Sequence, residues 1–428
     1  MHDKSKRLLF VTTRLFWPAD SGRKVVLWNY CKGLAEQLGY EVHLYSFLEG
    51  GQSHTLISEA PSFISKVELA VPLSAFEKTA GLLKAMIGLN QDPFQCALYV
   101  SKRNIVKLRE YCKQFNPDVI IVDMVRLAPY LDALEDCNAV RIIDFDDLLS
   151  KRYERQSTLC DSGSNVLGKY SESAGSLFKS LMRSPLIKKN VLKLEARRVA
   201  AAEIKYGERY DASVLISDIE ANEFSRKVEP LSVFTATMGA LAYPYVSEEK
   251  RVIKYDCCFI GNMGSAANQD SLRFIVDEIL SKMKGASLRV IGSCPNCIAV
   301  HYANDKRISF SGRVDSIRSA ALECKIMLAP LAYGTGIKTK ILEALGFGLP
   351  VVTNSIGAEG IDLQNGVTCI CVDDADDIAS KAMELLQDRQ QRDSYAVEGI
   401  KFINSKHSWE KSISCLGDCI SYCKRKRA

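Results

Sequence analysis

The chain has 428 residues, 47% of them hydrophobic and 25% charged, with a net charge of +5. Such a composition is ordinary for a soluble globular protein with sizeable cores, and the length suggests two or three domains. The charge is too mild to argue for nucleic acid as a partner, and no apolar run approaches the ~20 residues of a membrane-spanning helix.

The start, Met1 to Thr13, is basic but lacks an apolar core and cleavage site, so no signal peptide is expected. The fifteen cysteines then read as reduced thiols of a cytoplasmic protein. Cys294-Pro-Asn-Cys297 has the spacing of half a zinc site. It lacks a second ligand pair, because Cys257 and Cys258 are adjacent and fall in an expected strand.

Arg7 to Thr12 reads as a strand, Thr13 to Gly22 as a loop, Arg23 to Leu38 as a helix and Glu41 to Phe47 as a second strand. This βαβ opening predicts a parallel sheet. Ligands of such sheets bind beyond the carboxyl ends of the strands, where the first loop lies. Gly22, with Ser21 beside it, is placed either to approach a ligand or simply to start the helix. Lys66 to Val71 follows as a strand, then Ala75 to Gly88 and Ala97 to Phe115 as helices. Pro117 to Asp123 is a buried strand ending in an acid. Ala139 to Asp144 is another, running into D-F-D-D at Asp144 to Asp147. Clustered carboxylates at a strand end suit a divalent cation, an acceptor hydroxyl or a cap for the next segment.

Residues 151–210 hold thirteen Lys or Arg against six Asp or Glu, a net of +7 that exceeds the +5 of the whole chain. Within it, the mixed basic and apolar stretch 165–193 suits either an anionic membrane surface or a solvated helical hairpin. Leu194 to Tyr206 reads as a helix with Glu195, Arg198 and Glu203 on its polar side. Ala212 to Ile216 is a strand, and S-D-I-E at Ser217 to Glu220 a capped helix start. Tyr243 to Lys254, with Pro244 and a charged run, reads as a linker.

A second series of elements begins at Cys257 to Gly261, a strand followed by the turn Asn262 to Asn268 and a helix over Gln269 to Lys284. Leu288 to Gly292 and Arg307 to Gly312 are strands, the latter ending in G-R-V-D. Ile326 to Ala329 is a buried strand that stops at Pro330. The stretch from Pro330 to Gly360 then reads P-L-A-Y-G-T-G-I-K-T-K-I-L-E-A-L-G-F-G-L-P-V-V-T-N-S-I-G-A-E-G. Gly334-Thr335-Gly336 is a flexible turn. Ile337, Ile341, Ala344, Leu345 and Gly348 share one face of a helix, and Pro350 to Thr353 is the next strand.

A glycine turn running into a helix start suits a phosphate. The backbone can approach an anion closely, and the helix offers free N–H groups at its positive end. Lys338 and Lys340 add positive charge there. Glu343, about a turn and a half into the helix, is placed to accept hydrogen bonds from sugar hydroxyls. Phosphate plus ribose diol is what a nucleotide presents. The same residues also fit an ordinary αβ turn with a surface Lys340–Glu343 pair. Val367 to Val372 is the last strand and Asp376 to Leu386 a helix. Lys401 to Tyr422 is a closing element ahead of a basic K-R-K-R-A tail, expected to fray.

K-I-L-E-A-L-G-F-G-L-P-V-V-T with the following G-A-E-G resembles the donor-binding segment of GT-B glycosyltransferases, specifically glycosyltransferase family 4 (group 1 sugar transferases). The resemblance covers nearly the whole chain, strongest at Gly312 to Gly360 and weaker before residue 118. It implies an α/β GT-B fold: two facing, doubly wound, Rossmann-like domains with a cleft between. The domains expected are an acceptor-side domain at 1–242, a nucleotide-sugar-binding domain at 243–405, and a helix at 406–428 crossing back to the first. It implies a retaining transferase moving a sugar from a nucleotide-sugar to an acceptor hydroxyl in bacterial surface polysaccharide assembly. The acceptor would be a glycan or a lipid-linked glycan, met at the inner face of the membrane, with 165–193 as the contact.

Carried over residue by residue, Glu343 would hold the ribose. Gly334, Thr335, Gly336, Ile337 and Lys338 would meet the sugar and diphosphate, with Lys338 catalytic through its charge. Asn262 and Gly264 would line the diphosphate from the other side. Gly312 and Arg313, with Val314, would flank the base, and Gly22 in its P-x-x-x-G loop would approach the diphosphate or the acceptor. Asp144 and Asp146 match the family's D-x-D-D segment, followed here by Lys151-Arg152-Tyr153, and are the acceptor-side catalytic candidates. GT-B enzymes do not need a metal to hold the donor, so no metal or other cofactor is expected.

The chain departs from the family at Thr335, where the fuller motif carries the first of two glutamates; the donor sugar's hydrogen bonds depend on that position. The arginine and lysine that relatives place near the 262–268 loop are absent from it, which shifts phosphate charge onto Lys338. Two rival readings remain. A sugar-nucleotide epimerase on the same fold would need further acid–base groups. A non-catalytic GT-B partner protein is allowed by Thr335 but opposed by Glu343 and Lys338.

Overall fold

The computed structural model describes residues 6–19, 21–49, 52–88, 91–158, 185–332 and 336–428. Gly334, Thr335 and most of the 165–193 stretch therefore lie outside the described residues. The chain divides into two compact units. One comprises Met1–Thr237 and Ser412–Ala428, the other Met238–Lys411.

The first unit holds one parallel sheet of strands β1 (Lys6–Thr12), β2 (Tyr40–Ser46), β3 (Lys66–Leu69), β4 (Val119–Asp123), β5 (Val140–Asp146), β6 (Ala212–Leu215) and β7 (Val233–Thr235). Their order is β3-β2-β1-β4-β5-β6-β7. V-I-I-V-D of β4 is buried at every position, as a strand covered by helices on both faces requires. Leu9, Val11, Ile120, Val122 and Ile143 carry the core from strand to strand. The order reverses between β1 and β4, a topological switch point.

The second unit repeats the plan with β8 (Tyr255–Ile260), β9 (Leu288–Ile291), β10 (Ile308–Phe310), β11 (Cys324–Ala329), β12 (Val351–Thr353) and β13 (Ile370–Cys371). The sheet is parallel, in the order β10-β9-β8-β11-β12-β13, with its reversal between β8 and β11. Phe259, Leu288, Val290, Ile326, Leu328 and Val352 form its centre. The helix Thr339–Phe347 packs so tightly on the 241–243 segment that a Cβ added at Gly346 would stand 2.2 Å from Leu241 O. That contact accounts for the first glycine of G-F-G.

Several sequence expectations are corrected. The helix read over Ala97 to Phe115 is a 3-10 turn at Phe94–Leu98 and a separate helix at Lys102–Phe115, because Ser101 caps the second piece through the Asn104 amide. Glu195 and Glu203 face inward rather than out, at 1% and 3% exposure. Glu195 accepts from the amides of Phe94 and Gln95 at 2.8 and 3.2 Å. Glu203 accepts from Ser150 N and Oγ at 3.1 and 2.6 Å. Ser217 begins a helix but makes no side-chain cap. The closing element is two helices, Arg389–Lys406 and Trp409–Arg427. The basic tail continues the second of these instead of fraying, since Arg427 pairs with Asp211 at 2.8 Å.

Candidate functional site

In the second unit the loops leaving β8 and β11 diverge at the switch point. The β8 loop carries Asn262 and Gly264. Asn262 Oδ1 accepts from the Gly264 amide at 2.8 Å, and Asn268 Nδ2 donates back to Asn262 O at 2.8 Å. The β11 loop is pinned at its start by Asn354. Its Oδ1 accepts from Leu331 N and Gly357 N, each at 3.0 Å, and its Nδ2 donates to Leu331 O at 2.9 Å. Gly336 sits further along at φ 68°, in the region where a side chain would be strained. A Cβ added at Gly360, in G-A-E-G, would lie 3.5 Å from Ile337 Cγ1, so that turn packs against the loop.

Lys338 stands at the N-cap of helix Thr339–Phe347, buried, with Nζ donating to Gly336 O at 2.6 Å. Lys340 Nζ donates to Asn268 Oδ1 at 2.7 Å and lies 4.6 Å from the centre of the Phe259 ring. It ties the β11 helix to the β8 loop, and the surface ion pair with Glu343 does not form. Burial pushes the Lys340 ammonium down to about 8; the Glu343 charge opposes this and Lys338 adds to it. The Glu343 carboxylate is half-buried and has no hydrogen-bond or ion-pair partner among the described residues. Burial raises its pKa, with the Lys340 charge opposing. A carboxylate partly removed from water without donors is destabilising, and such groups concentrate where a ligand supplies the donors.

Helix starts show the same preparation. Helices Ala75–Met86, Lys102–Phe115, Ala375–Gln387 and Arg389–Lys406 each begin with a side-chain cap. Gly22–Glu36, Ala266–Phe274 and Thr339–Phe347, which follow switch-point strands, have neither a side-chain cap nor an acid in the first turn. Their leading N–H groups are left open to an anion. Beyond β10, Gly312 adopts φ 65° and its carbonyl accepts from Gly292 N at 3.2 Å. Arg313 is exposed and has no ion-pair partner among the described residues.

The first unit's switch point holds a buried charge cluster. Arg23, next to Gly22, donates from Nη2 to Asp123 Oδ1 at 2.5 Å and to Asp144 Oδ2 at 2.7 Å, and from Nη1 to Asp146 Oδ1 at 3.1 Å. Thr13 Oγ1 donates to Asp123 Oδ2 at 3.1 Å. Burial alone would depress the Arg23 guanidinium, but the charges of Asp144, Asp146 and Asp123 raise it well above its ordinary value. Burial raises Asp144 and pushes Asp146 up to about 6, with Arg23 opposing in each case. Asp146 and Met124 both hold positive φ, 67° and 65°, at the ends of β5 and β4. For residues with a Cβ this stores about 1–2 kcal/mol each.

The structure thus brings Gly22, Asp144 and Asp146 together, and adds Arg23 and Asp123, which sequence reasoning missed as site residues. The signal was present: an arginine directly after the loop glycine and an acid closing the β4 run. One oxygen of each of the three carboxylates accepts from the Arg23 guanidinium. Among the described residues no three His, Cys, Asp or Glu are arranged to hold a metal ion, Cys294 and Cys297 included. Further along, Asp147 pairs with Arg152, and Leu148 N donates to Glu220 at 3.4 Å. No helix among the described residues is long and apolar enough to cross a membrane.

Residues 254–388 match the family model of Glycosyl transferases group 1. No curated protein sequence matches the chain. Among solved structures, sucrose-phosphate synthase from Thermosynechococcus elongatus is similar at 13% identity and a TM-score of 0.67, covering 98% of this chain and 100% of that one. Anabaena HepE in complex with UDP and glucose gives 11% identity, a TM-score of 0.62 and coverage of 97% and 99%. The lipopolysaccharide outer core galactosyltransferase WaaB gives 12% identity, 0.62, and 97% and 99%. At these identities the likeness shows the fold, which is GT-B. The family match falls within the second unit, Met238–Lys411.

Proposed function

We propose that the chain is a retaining glycosyltransferase that moves a sugar from a nucleotide-sugar donor to an acceptor hydroxyl. The observation that carries the reading is Glu343: a half-buried carboxylate without a partner among the described residues, on the helix that starts at Lys338. On this reading Glu343 accepts the ribose hydroxyls. The diphosphate lies against the open N–H groups of helices Ala266–Phe274 and Thr339–Phe347, with Asn262 and Gly264 on one side and Gly336 to Lys338 on the other. Gly312 and Arg313 flank the base. As the bond from the sugar to the diphosphate breaks, negative charge grows on the leaving group. Lys338 and the helix dipole stabilise that charge more than they stabilise the bound donor, which is what lowers the barrier. The reading gives this role to the chain's own residues rather than to a metal.

Asp144 and Asp146, held by Arg23, are assigned to the acceptor side. The HepE structure that contains UDP and glucose, and the galactosyltransferase WaaB, support a nucleotide-sugar donor and a glycan acceptor. The setting that fits is bacterial surface polysaccharide assembly at the cytoplasmic face of a membrane, with the basic 165–193 stretch as a contact.

A thermal-shift screen against UDP, GDP, ADP and dTDP and their common sugar forms tests the reading. A ligand that binds only the folded state raises the melting temperature by linkage. One base should give a clear shift that Glu343→Ala and Lys338→Ala abolish. No shift with any nucleotide would remove the donor assignment.

A further inference from the structure

The helix Ala75–Met86 exposes a ridge that the catalytic reading does not use. Phe76 is 81% exposed, Leu83 57% and Ile87 63%, with Met86 beside them at 44%. Phe76, Leu83 and Ile87 are seven and four residues apart, so they fall within roughly 40° of arc on one helical face. The opposite face is anchored. Leu82 and Ala85 pack with Phe94, Ala97, Leu98 and Val191 in a small apolar cluster. A complete capping box, Ser74 with Glu77, fixes the helix start. The helix is thus tied down at its start and along one face, and the ridge lies on the other.

Cations without ion-pair partners stand around it. Lys84 flanks the ridge, and the helix Pro185–Arg209, which reaches the same cluster through Val191, exposes Lys189, Lys193 and Arg197. None of these four cations has an ion-pair partner among the described residues. Of the carboxylates on the two helices, Glu77 is engaged with Ser74 and Arg103, Glu195 with two backbone amides and Glu203 with Ser150, while exposed Glu208 lies near the far end of the second helix. Exposed Leu194 adds apolar area between Lys193 and Arg197.

We propose that this ridge docks on an anionic lipid bilayer, with Phe76, Leu83, Met86 and Ile87 entering the headgroup boundary and the lysines meeting the lipid charge. Large apolar side chains on one helix face beside unpaired cations are what interfacial insertion needs, and each side chain contributes by itself. A second copy of the chain fits less well. Three side chains on one twelve-residue helix and a fourth at its C-cap fall short of the ~800 Å² per partner of a stable protein interface.

The inference extends the acceptor side of the proposed function, yet its test needs neither donor nor acceptor. A chain that bound vesicles and no nucleotide would keep this inference and lose that one. The test is flotation of the full chain with vesicles of phosphatidylcholine alone, and of phosphatidylcholine with phosphatidylglycerol, at low and high salt. Binding is expected on the anionic vesicles and weaker on the neutral ones. The triple variant Phe76→Ser, Leu83→Ser, Ile87→Ser should bind at least tenfold less, with its melting temperature kept because these side chains are already in water. Lys84→Glu with Lys189→Glu and Lys193→Glu should remove the preference for anionic lipid. Wild type that stays with the buffer, or a triple variant that floats like wild type, would overturn the proposal. So would a wild-type dimer in light scattering that the triple variant abolishes, which would make the ridge a self-interface.

Discussion

Arg23 holds Asp144 through a 2.7 Å hydrogen bond from Nη2 to Oδ2, with both side chains buried. One guanidinium serves three carboxylates, so its removal strands charge that cannot be solvated. Arg23→Met should destabilise the first unit by roughly 3–5 kcal/mol, the usual cost of breaking a buried pair. Arg23→Lys should recover part of that, since it restores charge but not the fork. Calorimetric melting checks both, and an unchanged melting temperature in Arg23→Met would contradict the cluster. Nucleotide-induced shifts in the second unit should persist in Arg23→Lys.

Burial lifts the Glu195, Glu203 and Glu220 carboxyls to about 7, against 4.5 ordinarily, and Asp146 to about 6. The folded state therefore holds more protons than the unfolded state between about pH 4.5 and 7. Stability from these groups is greatest below that window and is lost as pH rises through it. Melting temperature should fall from pH 5 to pH 8. Glu203→Gln, which keeps an acceptor for Ser150, should flatten the slope. A slope unaltered by that change would show that Glu203 titrates normally.

Lys340 is depressed to about 8 by burial, so near pH 8.5 a large fraction is neutral. A diphosphate bound beside it favours the charged form. Nucleotide binding at pH 8.5 should take up a proton, read as a dependence of calorimetric heat on buffer ionisation enthalpy. At pH 6.5 the dependence should vanish, and Lys340→Met should lack it at both.

Gly346 touches the backbone of Leu241, so Gly346→Ala places a Cβ where a carbonyl oxygen stands at 2.2 Å. Backbone cannot give way as a side-chain tip can, and a loss of about 1–3 kcal/mol is expected from overpacking. The second unit should unfold at lower temperature, while the first, which does not contain residue 346, should keep its own transition.

The two doubly wound sheets were legible because buried parallel strands leave continuous apolar runs, as at Val119 to Val122 and Ile326 to Ala329. The glycine loop and helix start of the second unit were legible because Gly336, Lys338 and Glu343 lie within eight residues of chain. The charge cluster of the first unit was only half legible. Asp144 and Asp146 announce themselves in D-F-D-D, but Arg23 joins them from 121 residues away, a contact that only the sheet order creates. Lys340 misled in the same way, since Asn268, 72 residues earlier, takes it from Glu343. Glu195 and Glu203 were read outward from charge alone, while unpaired amides at Phe94, Gln95 and Ser150 draw them in.

The most direct measurement is a pair of calorimetric titrations, wild type and Glu343→Gln, against the four nucleoside diphosphates and their sugar forms. Wild type should bind, with a preference for one base. In Glu343→Gln the affinity should fall about 10–100-fold, or ~1.4–2.8 kcal/mol, the worth of one or two hydrogen bonds to a charged acceptor. The melting temperature of the free variant should hold or rise, because Glu343 has no partner to lose among the described residues. A wild type that binds no nucleotide, or a Glu343→Gln variant that binds as tightly as wild type, would contradict the donor assignment.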